Sequence, residues 1–176
     1  MSDIRGWPHH IEKILELLRV TRPKQVVEIG TYCGASAIPM AKVLVEWEGR
    51  LSCVDPWEDE QIGQEFLANL IEHDVPFINV IRARSVDTAA WWADTVDFLY
   101  IDGDHSYDGV LLDLQSWWPR LTSGALLCGD DYDDPISPGV ALAWKDFAAT
   151  VGLSLQLFAT PNTTPPGMKL VWGVKP

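Results

Sequence analysis

The residues in this chain best suited to chemistry are carboxylates that follow short apolar runs. Asp102 closes VDFLYID (96–102), and Asp130 and Asp131 close SGALLCGDD (123–131), 28 and 29 residues later. If those runs are neighbouring strands, their ends bring the three carboxylates within a few ångströms of one another. Three such anions repel and shift one another's pKa values unless a cation sits between them. An oxygen-only donor set with open positions suits Mg²⁺, Mn²⁺ or Ca²⁺. The alternative is a solvated acidic loop over 130–134 that caps the next helix. His105, three residues past Asp102, is a candidate general base for a hydroxyl held at such a cation, and Asp104 competes for that role. His9, His10 and His73 lack this context and read as surface residues.

A second group lies towards the N-terminus. Gly30 and Gly34 bracket Thr31, Tyr32 and Cys33 after the run QVVEIG (25–30), with Ser36 just beyond. Glycines there let backbone approach a ligand closely, or simply make a tight strand-to-helix turn. Glu28 falls inside the strand, where a carboxylate is costly unless a donor or cation meets it. Asp55 closes RLSCVD (50–55), 27 residues after Glu28. An acid in that place accepts from ribose hydroxyls, or else caps a helix or forms an Asx turn before Pro56. Trp57 comes next and could stack on a base. Ser85 and Asp87 follow FINVIRA (77–83); that loop can border a purine, and a helix N-cap explains Ser85 equally well.

These side chains need a frame. The stripe Ile11, Ile14, Leu15, Leu18 predicts a helix over 8–20, with Pro8 suited to its first position. Helical spacing returns over 36–47 (Ile38, Ala41, Leu44, Val45), 58–72 (Ile62, Phe66, Leu70, with Leu67), 86–92 and 106–118, and again from Ser137-Pro138. Pro39 is tolerable in the second of these if Ser36 caps it. Five strands alternate with the helices. LSLQLFA (153–159) and MKLVWGV (168–174), joined by PNTTPPG (161–167), then pair as an antiparallel hairpin. The prediction is one doubly wound α/β domain over 1–176, with helices on both faces and residues 1–22 as a helix before the sheet. Ligands in such sheets bind outside the carboxyl ends of the strands, where all the residues above fall.

At 176 residues with a formal net charge of −12, the chain is a poor candidate for nucleic acid or an anionic membrane surface. Its three cysteines are dispersed, which argues against a disulfide framework or zinc site and for a reduced, cytoplasmic setting. No signal peptide and no bilayer-spanning apolar run are visible. Of nine Trp, four (Trp117, Trp118, Trp144, Trp172) fall on predicted core stripes or a strand. Trp7, Trp47, Trp91 and Trp92 have no such explanation and are candidates for an acceptor pocket or subunit contact.

Together these residues resemble class I S-adenosylmethionine-dependent methyltransferases, over nearly the whole chain. VVEIGTYCGAS resembles that family's glycine-rich first motif and VDPW its acidic second one. IDGDHSYDGVLLDL followed by LLCGDDY is similar to a narrower group, the small metal-dependent O-methyltransferases related to macrocin and other antibiotic-sugar methyltransferases. The resemblance implies a Rossmann-like, seven-stranded sheet. It implies S-adenosylmethionine held by Glu28 (ammonium end), Gly30, Thr31, Tyr32, Gly34, Ser36, Asp55 (ribose), Trp57, Ser85 (adenine) and Asp102. It implies Mg²⁺, or Mn²⁺ or Ca²⁺, on Asp102, Asp130 and Asp131, with His105 or Asp104 as base and a small hydroxylated acceptor such as a sugar or vicinal diol. The single helix before the first strand and the lack of a long insertion after the fifth depart from related enzymes. They suggest an open site or a lid from a partner subunit, as in a homodimer. A cofactor-binding module without catalysis and a metal-dependent phosphoesterase are the competing readings. The missing GxGxxG weakens a third, NAD-dependent dehydrogenation.

Overall fold

The computed structural model describes residues 4–6, 9–75, 77–159 and 168–176. Pro8, Trp7 and the joining segment 161–167 therefore lie outside the described residues. The elements run α1 (Ile11–Thr21), β1 (Gln25–Ile29), α2 (Ala37–Leu44), β2 (Arg50–Asp55), α3 (Glu60–Glu72), β3 (Ile78–Arg82) and α4 (Ser85–Trp91). They continue as β4 (Val96–Ile101), α5 (Tyr107–Trp117), β5 (Leu121–Tyr132), α6 (Pro138–Val151), β6 (Gln156–Ala159) and β7 (Lys169–Val174). Short 3₁₀ turns extend α2 and α5.

The seven strands form one sheet in the order β3-β2-β1-β4-β5-β7-β6. The first five are parallel, β7 is antiparallel to β5, and β6 is antiparallel to β7. This is the predicted doubly wound sheet with a terminal hairpin. Val26, Phe98, Tyr100, Leu126 and Cys128 pack with residues of α1, α2 and α3 on one face. Val27, Ile29, Leu99, Ile101 and Leu127 pack with α4, α5 and α6 on the other. Strand residues alternate between faces with period two, so near-continuous apolar runs are what a sheet covered on both sides requires.

Several local expectations change. Ser36 stands at the N-cap of α2, but its side chain makes no capping bond; its hydroxyl is drawn instead to the buried Glu28. Pro39 is accommodated because it lies in the first turn, whose N–H groups lack intrahelical acceptors. Leu67 and Val45 are 48% and 43% exposed, so the apolar stripes of α3 and α2 are narrower than predicted. Trp92 and Trp47 are packed rather than open. Trp92 meets Trp117 edge-on, and Trp47 donates through Nε1 to the Pro23 carbonyl at 2.8 Å. Trp91 remains 60% exposed.

Candidate active site

At the carboxyl ends of the parallel strands lies a cavity of about 1270 Å³. Gly30, Thr31, Tyr32 and Ser36 line it from the loop after β1, with Asp55 from β2 and Ser85 from α4. Asp102, Asp104 and His105 follow β4, and Asp130 and Asp131 close β5. The sequence thus brings two groups of residues, far apart in the chain, onto one cavity. Glu28, Gly34 and Trp57 are not on its wall.

The loop after β1 is shaped from beneath. Gly30 has φ +83°, and a Cβ there would fall on the Asp102 carbonyl, so glycine is what lets the ends of β1 and β4 converge. Gly34 (φ +90°) faces away from the cavity, where a Cβ would come within 2.8 Å of the Phe66 ring. Glu28 shares a sheet face with Cys53 and Tyr100, its register partners on β2 and β4. Its carboxylate accepts from the hydroxyls of Thr31 (2.9 Å) and Ser36 (2.5 Å), and burial pushes its pKa up to about 7. Glu28 therefore braces the loop internally, which corrects its expected place beside a ligand's ammonium group.

Asp55 combines two readings. One oxygen accepts from the Trp57 N–H at 2.7 Å, closing an Asx turn, and the other accepts from the Tyr32 N–H at 2.9 Å. The carboxylate still lines the cavity and keeps free lone pairs. Trp57 turns inward: its ring stacks on Phe66 at 5.1 Å and its Nε1 donates to the Tyr32 carbonyl at 2.8 Å. Trp57 thus packs away from the cavity, where it was expected to stack on a base. Ser85 begins α4 with Arg84 at the N-cap, so its expected capping role fails; its oxygen accepts from Trp117 Nε1 at 2.8 Å.

At the other end, one ligand atom each from Asp102, His105 and Asp131 lies within 4.8 Å of the others. His105 Nδ1 is 3.0 Å from Asp131 Oδ2, and its Nε2 is 3.6 Å from Asp102 Oδ1. Asp130 stands outside this cluster, although it lines the same cavity and shares the Tyr100 hydroxyl with Asp102. Its Oδ2 accepts from the Tyr100 hydroxyl at 3.0 Å and its Oδ1 from the Asp131 N–H at 2.9 Å. Consecutive strand residues point to opposite faces. Asp130 accordingly falls on the Tyr100 side, while Asp131, in a left-handed conformation (φ 57°), turns towards His105. The acidic-loop reading describes the next residues: Asp134 closes an Asx turn on Ile136, and Asp133 pairs with Lys169 at 2.7 Å.

The electrostatics follow from these placements. Desolvation raises the Asp102 carboxyl to about 7 and moves Asp130 and Asp131 in the same direction. Pairing with Asp102, and then the charge of Asp131, lift His105 to about 9 against the cost of burial. Without a cation in the cluster, these carboxylates favour the imidazolium form of His105. It bridges two carboxylates and is not a free base. Asp104 sits on the cavity wall over Gly109, its Oδ1 accepting from the Ser106 N–H at 2.8 Å.

Several residues at or beside the site escaped the sequence reading. His10, expected at the surface, is buried, with Nε2 3.3 Å from Asp130 Oδ1, and burial lowers its pKa to about 4. Nothing in its spacing signals this, since the docking of α1 decides it. Tyr100 and Asp113 did carry a signal: Tyr100 is two residues before Asp102, and Asp113 shares the helical stripe of Val110, Leu114 and Trp117. Arg5 lies over the Tyr32 ring at 5.1 Å and pairs with Glu65. With Gly6 and with His9, expected at the surface, it lines part of the cavity wall.

The family described as "Methyltransferase domain" matches residues 27–132. The chain is 26% identical over 155 residues to the uncharacterized protein y4gI of Sinorhizobium fredii, and 31% identical over 132 residues to the uncharacterized protein R132 of Acanthamoeba polyphaga mimivirus. Those alignments cover 82% and 69% of this chain, which spans 17% and 58% of the two relatives' lengths. Among solved structures, the O-methyltransferase from Bacillus cereus in complex with SAH is similar in fold, with a TM-score of 0.80 at 18% identity, covering 99% of this chain and 84% of that one.

Proposed function

The chain belongs to the methyltransferase-domain family, and on that premise we propose that it transfers the methyl group of S-adenosylmethionine to a hydroxyl of a small acceptor, assisted by a divalent cation. The observation that carries this reading is the single cavity with the Gly30 loop and Asp55 in its wall together with the Asp102–His105–Asp131 cluster. Asp102 and Asp131 would hold the cation. The two shielded carboxylates would offer oxygen ligands of the kind that suits Mg²⁺, Mn²⁺ or Ca²⁺, the cation taking the place of the positive charge that His105 supplies without it. When bound, S-adenosylmethionine supplies an electrophilic methyl group and the cation a Lewis acid for the acceptor hydroxyl.

The chain's own residues supply the rest. Asp55, already fixed by Tyr32 and Trp57, accepts from ribose hydroxyls without reorganising. The cavity edge of the Gly30–Ser36 loop, held from below by Glu28, orients the methionine portion. The acceptor's proton would pass to Asp104, or to His105 once a cation has displaced the proton that His105 carries. Orientation of the reacting groups provides much of the rate in such a displacement, and no covalent enzyme intermediate is needed.

Calorimetric titration with S-adenosylmethionine, with Mg²⁺ and with EDTA, tests this reading. Saturable binding in both conditions is expected, along with methyl transfer to a hydroxylated acceptor that EDTA abolishes. Absence of binding at millimolar cofactor would overturn the assignment, and turnover unchanged by EDTA would remove the cation from it.

A further inference from the structure

Tyr100 of β4 is buried in the sheet, and the chemistry proposed above makes no use of its hydroxyl. Register pairs it with Glu28 on β1 and Cys128 on β5. Side chains alternate along a strand, so Tyr100 shares a sheet face with Asp102 and Asp130, which stand two residues beyond Tyr100 and Cys128. The hydroxyl lies 3.0 Å from Asp130 Oδ2 and 3.3 Å from Asp102 Oδ2. It carries one proton, and an ionised carboxylate can only accept. That proton is therefore committed to this pair of oxygens. Asp130 has further support at its other oxygen, from the Asp131 N–H at 2.9 Å and from His10 Nε2 at 3.3 Å. The two oxygens of Asp102 are divided between different neighbours. Oδ2 faces the Tyr100 hydroxyl, and Oδ1 faces His105 Nε2 at 3.6 Å, on the side of the Asp102–His105–Asp131 cluster.

We infer that Tyr100 is a positioning residue that holds one oxygen of Asp102 and leaves the other for the cation, and so favours Mg²⁺ or Mn²⁺ over Ca²⁺. This deepens the proposed function and rests on its placement of a divalent cation at Asp102 and Asp131. Mg²⁺ takes about six ligands at about 2.0–2.1 Å, from one or two carboxylates together with waters. Ca²⁺ takes about six to eight at about 2.3–2.6 Å and readily uses both oxygens of one carboxylate. A carboxylate with one oxygen hydrogen-bonded suits the smaller ion. Ligation through both oxygens would require Asp102 to give up its bond to Tyr100. Phe at position 100 fills the same space against Phe98 and Cys128 but lacks the hydroxyl, so Asp102 becomes free to turn both oxygens to an ion.

The test is calorimetric titration of the full chain with MgCl₂, MnCl₂ and CaCl₂, for the native protein and for Tyr100→Phe. The native chain should bind Mg²⁺ and Mn²⁺ more tightly than Ca²⁺. The variant should shift the ratio of Ca²⁺ to Mg²⁺ affinity towards Ca²⁺ by about tenfold, the scale of one hydrogen bond to a charged group. A site merely loosened by the substitution would bind all three ions less well and keep the ratio, so the ratio separates orientation from general support. Titration with S-adenosylhomocysteine in the absence of added cation checks that the variant is folded. If it folds poorly, the preference of the native chain still decides. Ca²⁺ bound by the native chain as tightly as Mg²⁺, or a ratio unmoved in the folded variant, would overturn the inference and leave the proposed function intact. Failure of the native chain to bind any of the three ions would overturn the inference together with the cation in the proposed function, and S-adenosylhomocysteine binding would still report on the remainder.

Discussion

Glu28 is held at the centre of the sheet by two hydroxyls and the Cys53 thiol. Burial, opposed by those hydrogen bonds, lifts its pKa from an ordinary 4.5 to about 7. The folded chain therefore binds this proton more tightly than the unfolded one, and unfolding releases it. The resulting contribution to stability is complete below pH 4.5, falls as pH rises, and is gone above about pH 7. Glu28→Gln removes that titration and keeps an acceptor for Thr31 and Ser36. The variant should melt higher than the native chain above pH 7, and its melting temperature should fall less between pH 4.5 and 7. Melting curves across that range check this, and an unchanged pH slope would show that Glu28 is ionised in the fold. The same scale explains Asp130 and Asp131. They are adjacent in sequence, but the pleat sends one to Tyr100 and the other to His105.

At the scale of elements, the loop between β1 and α2 is fixed by contacts with α3 and the end of β2. Gly34 is the tightest of these contacts. Replacement by Ala combines a left-handed backbone with a Cβ 2.8 Å from the Phe66 ring. The cost should be about 2–4 kcal/mol, from strain together with overpacking. Gly152, at the C-cap of α6, has φ +71° but nothing within 4 Å of a Cβ. Gly152→Ala should therefore cost only about 1 kcal/mol, the price of the conformation alone. Urea unfolding of both variants separates the two terms, and equal losses would mean that Phe66 yields freely. Asp59 and Ser106 cap α3 and α5 through backbone N–H groups, so these helices begin by local chemistry that a sequence displays. Ser36 is in the same kind of position, but Glu28 takes its hydroxyl.

For the molecule as a whole, a net charge of −12 is concentrated in part at one cavity, since Asp55, Asp102, Asp104, Asp113, Asp130 and Asp131 all line it. Ligands that bind only the folded state and complete this wall should stabilise the whole sheet by mass action. At a hundredfold excess over its dissociation constant, S-adenosylhomocysteine should add about 2.7 kcal/mol. For a chain of this length that is a rise of about 5–10 °C in melting temperature, with a further increment from a divalent cation at the carboxylate cluster. Scanning calorimetry reads both, and a melting temperature unmoved by millimolar ligand would contradict the proposed site. Among the described residues no helix is long and apolar enough to cross a membrane.

The sequence by itself determined the alternation of strands and helices, the terminal hairpin and the strand ends at which chemistry could occur. Each of these rests on local patterns: apolar runs, 3.6-residue stripes, caps and glycines at turns. Tertiary structure alone decided which of those residues face the cavity. Trp57 turns inward because its backbone is left-handed (φ 39°) and Phe66 waits beneath it. His10 is buried because α1 docks against the face that carries Tyr100 and Asp130. His105 has a raised proton affinity because two carboxylates from different strand ends converge on it. Residue type and spacing fix what a side chain can do. Its direction and its charge state depend on neighbours that are distant in the chain, and only packing brings those together.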